Sequence, residues 1–98
     1  MRERDALRAF ERGEYRRYMV GRVNRKGGEW AGSTGCIDAR SPEDAMAYAD
    51  RVYPLRPGFQ REFREVGPAR EYGWFFPVEI GRRVRLPAQG DLFAAVGR

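Results

Sequence analysis

The chain contains no histidine and only one cysteine, Cys36. The absence of histidine excludes His general bases, Ser-His-Asp and Cys-His catalytic arrangements, and His-ligated metal sites. A single cysteine forms no intramolecular disulfide, and here it has no histidine as a partner ligand for a metal. We therefore expect a protein that is not an enzyme and that has no metal and no cofactor, with Cys36 as a small core residue.

Long apolar runs are also missing. No run approaches the ~20 residues that a helix needs to cross a bilayer. The N-terminus is charged from Arg2 onward and contains no apolar core of a signal peptide. An unpaired cysteine fits a reducing compartment. These features predict a cytoplasmic protein without a membrane partner.

The size of the chain allows one small domain. It has 98 residues, of which 42% are hydrophobic and 34% are charged. This balance is too apolar for a disordered chain and too charged for a membrane protein. We expect a single basic domain over residues 1–86, followed by a C-terminal tail over residues 87–98.

Lysine is almost absent from the basic residues. The chain has 19 basic and 14 acidic residues, a net charge of +5, and Lys26 is its only lysine. Codon usage in a GC-rich genome explains the preference for arginine most simply. Phosphate recognition is the functional alternative, because a guanidinium group pairs with two phosphate oxygens at once. Under either explanation, the net charge favours a polyanionic partner.

The positive charge is concentrated at the two ends of the chain. Residues 1–26 carry a net charge of +5, residues 27–81 carry −3, and residues 82–98 carry +3. If the two ends meet in space, they form one basic face that binds nucleic acid or a nucleoprotein complex. The candidate contact residues are Arg16, Arg17, Arg22, Arg25, Lys26, Arg82, Arg83 and Arg85.

Two segments have the pattern of amphipathic helices. Residues 2–12 place Ala6, Leu7 and Phe10 on one face, with charged residues on the other. The second helix begins after Ser41, a residue type that caps helix N-termini, and a proline follows in the first helical position. Its apolar stripe consists of Ala45, Tyr48, Ala49 and Val52.

Three further segments have the character of strands. Residues 14–23 and 29–39 are rich in strand-forming side chains and flank the turn at residues 24–28, which predicts a β-hairpin. Residues 59–66 fit either helical spacing or an exposed strand with alternating Arg and Glu. We favour the strand.

The clearest alternation occurs over residues 72–80, where apolar side chains occupy every even position. We expect this stripe to form core beneath the helices rather than a platform for stacking bases, which leaves Phe75 on the opposite face. Pro77 lacks a backbone donor and therefore limits the strand to a sheet edge. The order α-β-β-α-β-β predicts an α+β fold, with a small antiparallel sheet of about four strands and two helices packed on one face.

A short peptide near the C-terminus resembles a known docking motif. Its sequence is Gln89-Gly90-Asp91-Leu92-Phe93. It resembles the linear motif by which bacterial polymerases and repair proteins bind the DNA sliding clamp, although Gly90 stands where leucine is commoner. The resemblance implies a polar subsite for Gln89, an apolar pocket for Leu92 and Phe93, and a turn shaped by Asp91. The alternative is that this segment folds back onto the core.

Two functions are consistent with these observations. The first is a non-enzymatic accessory or adaptor protein, of bacterial or phage origin, that binds nucleic acid or a nucleoprotein complex and is tethered to the sliding clamp by its tail. The second is a small inhibitor from a phage or mobile element, of the anti-defence, anti-CRISPR-like or host-takeover kind, that binds a protein directly. The sequence pattern leaves both functions open, as well as the oligomeric state.

Overall fold

A computed structural model describes the chain over residues 1–69 and 73–86. Two helices and a set of antiparallel strands confirm the predicted α+β class. The elements are α1 (Glu3–Glu11), β1 (Arg16–Asn24), β2 (Trp30–Ala39), α2 (Pro42–Val52), β3 (Phe59–Pro68), β4 (Trp74–Phe75) and β5 (Val84–Arg85). The proposed tail, residues 87–98, lies outside the described residues.

The main sheet has three antiparallel strands in the order β2-β1-β3, so β1 is its central strand. The outer edge of β2 is extended by a short parallel bridge between Asp38 and Pro77. The Asp38 N–H donates to the Phe76 carbonyl at 2.7 Å, and the Val78 N–H donates to the Asp38 carbonyl at 3.0 Å. This segment adds a partial fourth strand, and β4 and β5 form a separate two-stranded ribbon.

Helix α2 covers one face of the main sheet. The Ser41 hydroxyl accepts a hydrogen bond from the Asp44 N–H at 3.1 Å, which confirms the predicted N-cap. The buried side chains of the helix pack against those of β1 and β2 and form the first core. Its fully buried members are Tyr18, Val20, Ile37, Ala39, Ala45, Tyr48, Ala49 and Val78.

Helix α1 packs in a second core with the ribbon. Ala6 and Ala9 are its buried residues, and they meet Tyr15, Phe75 and Val84. The Phe75 ring lies 5.5 Å from that of Tyr15 in an edge-on arrangement. Each helix therefore packs in a core of its own, α2 in the core on the main sheet and α1 in the core on the ribbon.

The segment that follows residue 73 differs from the prediction. Only Trp74–Phe75 forms a strand, and residues 78–81 form a turn in which the Gly81 N–H donates to the Pro77 carbonyl at 2.9 Å. The expectation that Phe75 faces away from the core is wrong, because its exposed fraction is 0%. After Phe75 the segment changes partner from β5 to Asp38 of β2 and then turns, so the alternation along it does not belong to one strand.

Residues 59–66 do form a strand, as favoured from the sequence. β3 pairs with β1 from Phe59 to Pro68 with one bulge, and of its alternating charges Arg64 and Glu65 are exposed whereas Arg61 is largely enclosed. Among the described residues, no helix is long and apolar enough to span a membrane.

Candidate nucleic-acid interface

The tip of the β1–β2 hairpin is shaped by local hydrogen bonds. The Asn24 side-chain oxygen accepts from the Lys26 N–H at 2.9 Å, and the Asn24 carbonyl accepts from the Gly28 N–H at 2.7 Å. Gly28 has a φ of 64°, a left-handed conformation that glycine adopts without strain. This turn leaves the side chains of Arg25 and Lys26 exposed to solvent.

The hairpin tip lies beside the loop between α2 and β3. The Arg25 N–H donates to the Gly58 carbonyl at 3.0 Å, and Asn24 pairs with Phe59 in the sheet register. This pairing brings the loop that carries Arg56 to the same end of the sheet as the basic turn. Loop and turn together form a continuous surface.

A cleft of about 340 Å³ opens at this end of the sheet. It is bounded by β1, by β3 and by the loop after α2. Among residues 1–69 and 73–86, three arginines and no acidic residue line it, and aromatic and aliphatic side chains form the remaining walls. The lining residues are Gly21, Arg22, Tyr53, Pro54, Leu55, Arg56, Phe59 and Arg61.

Arg61 is the most enclosed arginine of the cleft, with a side-chain exposure of 8%. Its Nε donates to the Asp50 carboxylate at 3.2 Å, and its Nη2 donates to the Tyr53 carbonyl at 2.6 Å. Its Nη1 is buried and has no hydrogen-bond partner among the described residues. The C-terminal end of α2 thus holds the guanidinium group in place, while Nη1 lacks a partner among the described residues.

Arg22 and Phe59 form a second feature of the cleft. The Arg22 guanidinium carbon lies 5.7 Å from the centre of the Phe59 ring, within range of a cation–π contact. Arg22 is exposed and makes no salt bridge with a described residue. Its charge therefore remains available to an anion in the cleft.

Three of the eight predicted contact residues have carboxylate partners. Arg16 bonds to Glu65 at 2.9 Å, and this contact raises the pKa of Arg16 and lowers that of Glu65. Arg82 pairs with Glu3 of α1. Arg17 was expected in the exposed basic element, but it is buried and paired with Asp38. Arg17 therefore lacks the exposure that the prediction required of it.

The remaining predicted residues divide into two groups. We call Arg22, Arg25 and Lys26, together with Arg56, the tip surface: all four are exposed, and none forms a salt bridge with a described residue. We call Arg83 and Arg85 of the ribbon region the ribbon patch, and they lie beside Arg82, which is paired with Glu3.

The tip surface and the ribbon patch are far apart. Arg83 and Arg17 both lie over the Trp74 ring, at 4.4 and 5.1 Å from its centre, so the ribbon patch adjoins the start of β1. Arg25 comes eight residues after Arg17 in the sequence, which corresponds to about 26 Å along an extended strand. Side chains also alternate between faces, so Arg17 and Arg22 point to opposite sides of the sheet. The structure therefore has two basic patches rather than the single face expected.

Comparison with known proteins adds no relative. No protein-family model, curated protein or solved structure matches the chain. The four predicted clamp-binding residues, Gln89, Asp91, Leu92 and Phe93, lie outside the described residues. The interface is therefore defined by the contacts of the described residues alone.

Sequence reasoning missed three residues of the cleft. Arg56, Phe59 and Arg61 belong to the middle of the chain, and the net charge of −3 in that region does not indicate a basic site. The alternating Arg and Glu of β3 indicated a strand, but only the pairing with β1 places Arg61 beside Arg22, its register partner. That pairing is a long-range contact, and no local pattern encodes it.

Proposed function

We propose that this protein is a non-enzymatic nucleic-acid-binding protein whose tip surface contacts the phosphate backbone. The observation that carries the proposal is the convergence at one end of the sheet of four exposed cations that form no salt bridge with a described residue, namely Arg22, Arg25, Lys26 and Arg56. The adjacent cleft supports the proposal further, because none of the described residues that line it carries a carboxylate.

Electrostatics favours this end of the molecule over the others. Arginines already paired with carboxylates gain less from a phosphate, because the existing pair must be broken first. The cations of the tip surface form no salt bridge with a described residue, so a phosphate that binds there breaks no such pair. Each contact of this kind releases counterions from the nucleic acid, so affinity falls as salt is raised.

The ribbon patch supplies a second contact in this proposal. Arg83 stacks on Trp74, and a stacked guanidinium is held ready to meet a phosphate or a base. Because the two patches are about 26 Å apart along β1, a strand that reached both would extend along the sheet. The sliding clamp remains the proposed partner of the tail.

Salt-dependent binding is the direct test. We expect the full chain to bind labelled single- or double-stranded oligonucleotides, with an affinity that decreases by tenfold or more between about 50 and 200 mM salt. The double variant Arg25→Glu/Lys26→Glu should weaken binding and reduce the salt slope by about two contacts.

A matched control separates local contact from total charge. Arg51→Glu/Arg64→Glu makes the same charge change at exposed positions of α2 and β3 that belong neither to the cleft nor to the ribbon patch. We expect a much smaller loss of affinity from this variant. Equal losses in both variants, or an affinity that ignores salt, would contradict the proposal.

A direct protein partner is the second candidate, because a basic surface also fits an acidic protein face or an inhibitor's target. A pull-down with and without nuclease distinguishes the two. Partners released by nuclease support nucleic-acid binding. Partners that persist after nuclease and are lost in Arg25→Glu/Lys26→Glu support direct protein binding by the same surface.

A further inference from the structure

The cleft beside the hairpin tip has features that a surface for backbone phosphates does not require. It is concave, it combines charged and aromatic walls, and it contains an enclosed arginine with an unsatisfied nitrogen. Its volume of about 340 Å³ lies within the usual range for small-molecule sites.

Its charged side fits a phosphate group. Arg22, Arg56 and Arg61 line the cleft, and none of its lining residues in the described part of the chain is acidic. Asp50, the nearest carboxylate partner, bonds to the Nε of Arg61 and is itself 65% exposed at the surface. A phosphate monoester with two negative charges matches the exposed guanidinium groups of Arg22 and Arg56, with Arg61 held beside them, better than one diester does.

Arg61 gives this side a fixed geometry. Its Nε and Nη2 are held by Asp50 and by the Tyr53 carbonyl, which orients the plane of the guanidinium group. Nη1 lacks a partner among the described residues, whereas buried donors in native proteins are nearly always satisfied. Nη1 itself is covered, whereas Leu55 and Arg56 at the rim of the cleft are exposed.

The other side of the cleft fits a flat ring. Phe59 is half-buried, and the Arg22 guanidinium lies over its ring at 5.7 Å. Bases stack on aromatic rings and on guanidinium planes alike. Pro54 and Leu55 extend the apolar wall beside them. We infer that this cleft binds a phosphate group joined to a flat ring, which is the chemistry of a nucleotide.

Such a ligand has two sources, a free nucleotide or the phosphorylated end of a nucleic-acid strand. The strand end rests on the proposed function, whereas the free nucleotide does not. The two are separated by comparing a nucleoside monophosphate with oligonucleotides that differ only in a 5′-phosphate.

The test is titration of the full chain with adenosine 5′-monophosphate, adenosine and inorganic phosphate, followed by NMR or calorimetry. We expect the monophosphate to bind at least about tenfold more tightly than either fragment, since it engages both sides of the cleft. Arg56→Gln and Phe59→Leu should each weaken it by about threefold to tenfold, and Arg61→Lys by more, because lysine keeps the charge without the fork.

Arg64→Gln is the matched control. Arg64 is an exposed arginine of the same strand, three positions from Arg61, and alternation places it on the opposite face. It should leave monophosphate binding unchanged. Arg61 contributes to folding through Asp50 and Tyr53, so thermal unfolding of each variant is measured alongside, and the exposed Arg56 provides the test if Arg61→Lys is unstable.

The outcomes separate the two proposals. Monophosphate binding that is lost in Arg56→Gln and Phe59→Leu and kept in Arg64→Gln supports the cleft, even if no oligonucleotide binds. Tighter binding of the 5′-phosphorylated oligonucleotide supports the strand end as the source. Oligonucleotide binding with no preference for the 5′-phosphate, together with no monophosphate binding, would overturn this inference and leave the proposed function standing.

Discussion

Arg17 and Asp38 face each other across β1 and β2 and form a buried, two-point ion pair. The Arg17 Nε donates to Asp38 Oδ1 at 2.8 Å, and Nη2 donates to Oδ2 at 3.1 Å. Oδ2 also accepts from the Phe76 N–H at 2.7 Å. Asp38 thus joins the central strand, its neighbour and the segment that leads into the ribbon, so the pair links the two cores.

Breaking this pair should destabilise the protein strongly. Side-chain exposures of 10% for Arg17 and 0% for Asp38 mean that Asp38→Ala removes two charge-assisted hydrogen bonds from a buried guanidinium group. Asp38→Ala should lower the free energy of unfolding by about 3–5 kcal/mol in denaturant titrations. Glu65→Gln, which breaks the exposed pair with Arg16, should cost only about 0–1 kcal/mol. Similar costs for both would contradict a special role for the buried pair.

Phe75 should be among the most sensitive apolar positions. Its ring is fully buried and lies 4.8 Å from that of Phe10. Phe75→Ala should lower the free energy of unfolding by about 3–5 kcal/mol, because it removes a core ring and leaves a cavity. Val66→Ala, at an exposed position of β3, should change it by less than about 0.5 kcal/mol. A small loss of stability in Phe75→Ala would contradict the buried position of this ring and favour the exposed position predicted from the alternation.

Gly21 should tolerate no side chain. A Cβ there would collide with the Trp30 ring and would lie 2.8 Å from the Gly32 carbonyl oxygen, which is backbone and cannot move aside. Gly21→Ala should therefore cost about 1–3 kcal/mol and shift the fluorescence of Trp30. In Gly27→Ala the nearest atom is 3.4 Å away on the Glu29 side chain, so this control should be close to neutral. An unchanged free energy of unfolding in Gly21→Ala would show that β1 and β2 are spaced differently at this position.

Tyr15 should make stability depend on alkaline pH. Burial, with a hydrogen bond to Glu79, raises its pKa above the ordinary value of 10.0. The folded state therefore keeps the phenol proton where the unfolded state loses it. This contribution is complete below about pH 10 and is lost as pH rises, with a slope of up to about 1.4 kcal/mol per pH unit.

The measurement is denaturant unfolding at a series of alkaline pH values. Tyr15→Phe should show a shallower decline than the natural chain. Some decline should remain, because burial also raises the pKa of Tyr18 and Tyr48. An identical slope in Tyr15→Phe would assign the alkaline sensitivity to other groups.

The C-terminal peptide is tested separately from the domain. A synthetic peptide of residues 86–98 should bind a bacterial sliding clamp, and replacement of Leu92 and Phe93 by alanine should abolish binding, because these side chains would occupy the apolar pocket. Equal binding by both peptides would exclude the motif as the determinant. Loss of the motif from the full chain should leave salt-dependent oligonucleotide binding intact.

Much of the fold could be predicted because its signals are local. The cap at Ser41 is a hydrogen bond between residues three apart, and the basic turn is closed by contacts of Asn24 with its near neighbours. Such contacts depend little on the rest of the chain, so residue type and spacing predict them. The hairpin, both helices and the α+β class follow from these signals.

The candidate site depended on partners distant in sequence. Arg17 looks like Arg22 in the sequence, yet one is buried against Asp38 and the other is exposed over Phe59. Composition and local pattern thus determined the elements and the excess of positive charge. The tertiary structure decided which arginines are neutralised and which are free, because charge pairing and burial arise only when distant strands are brought together.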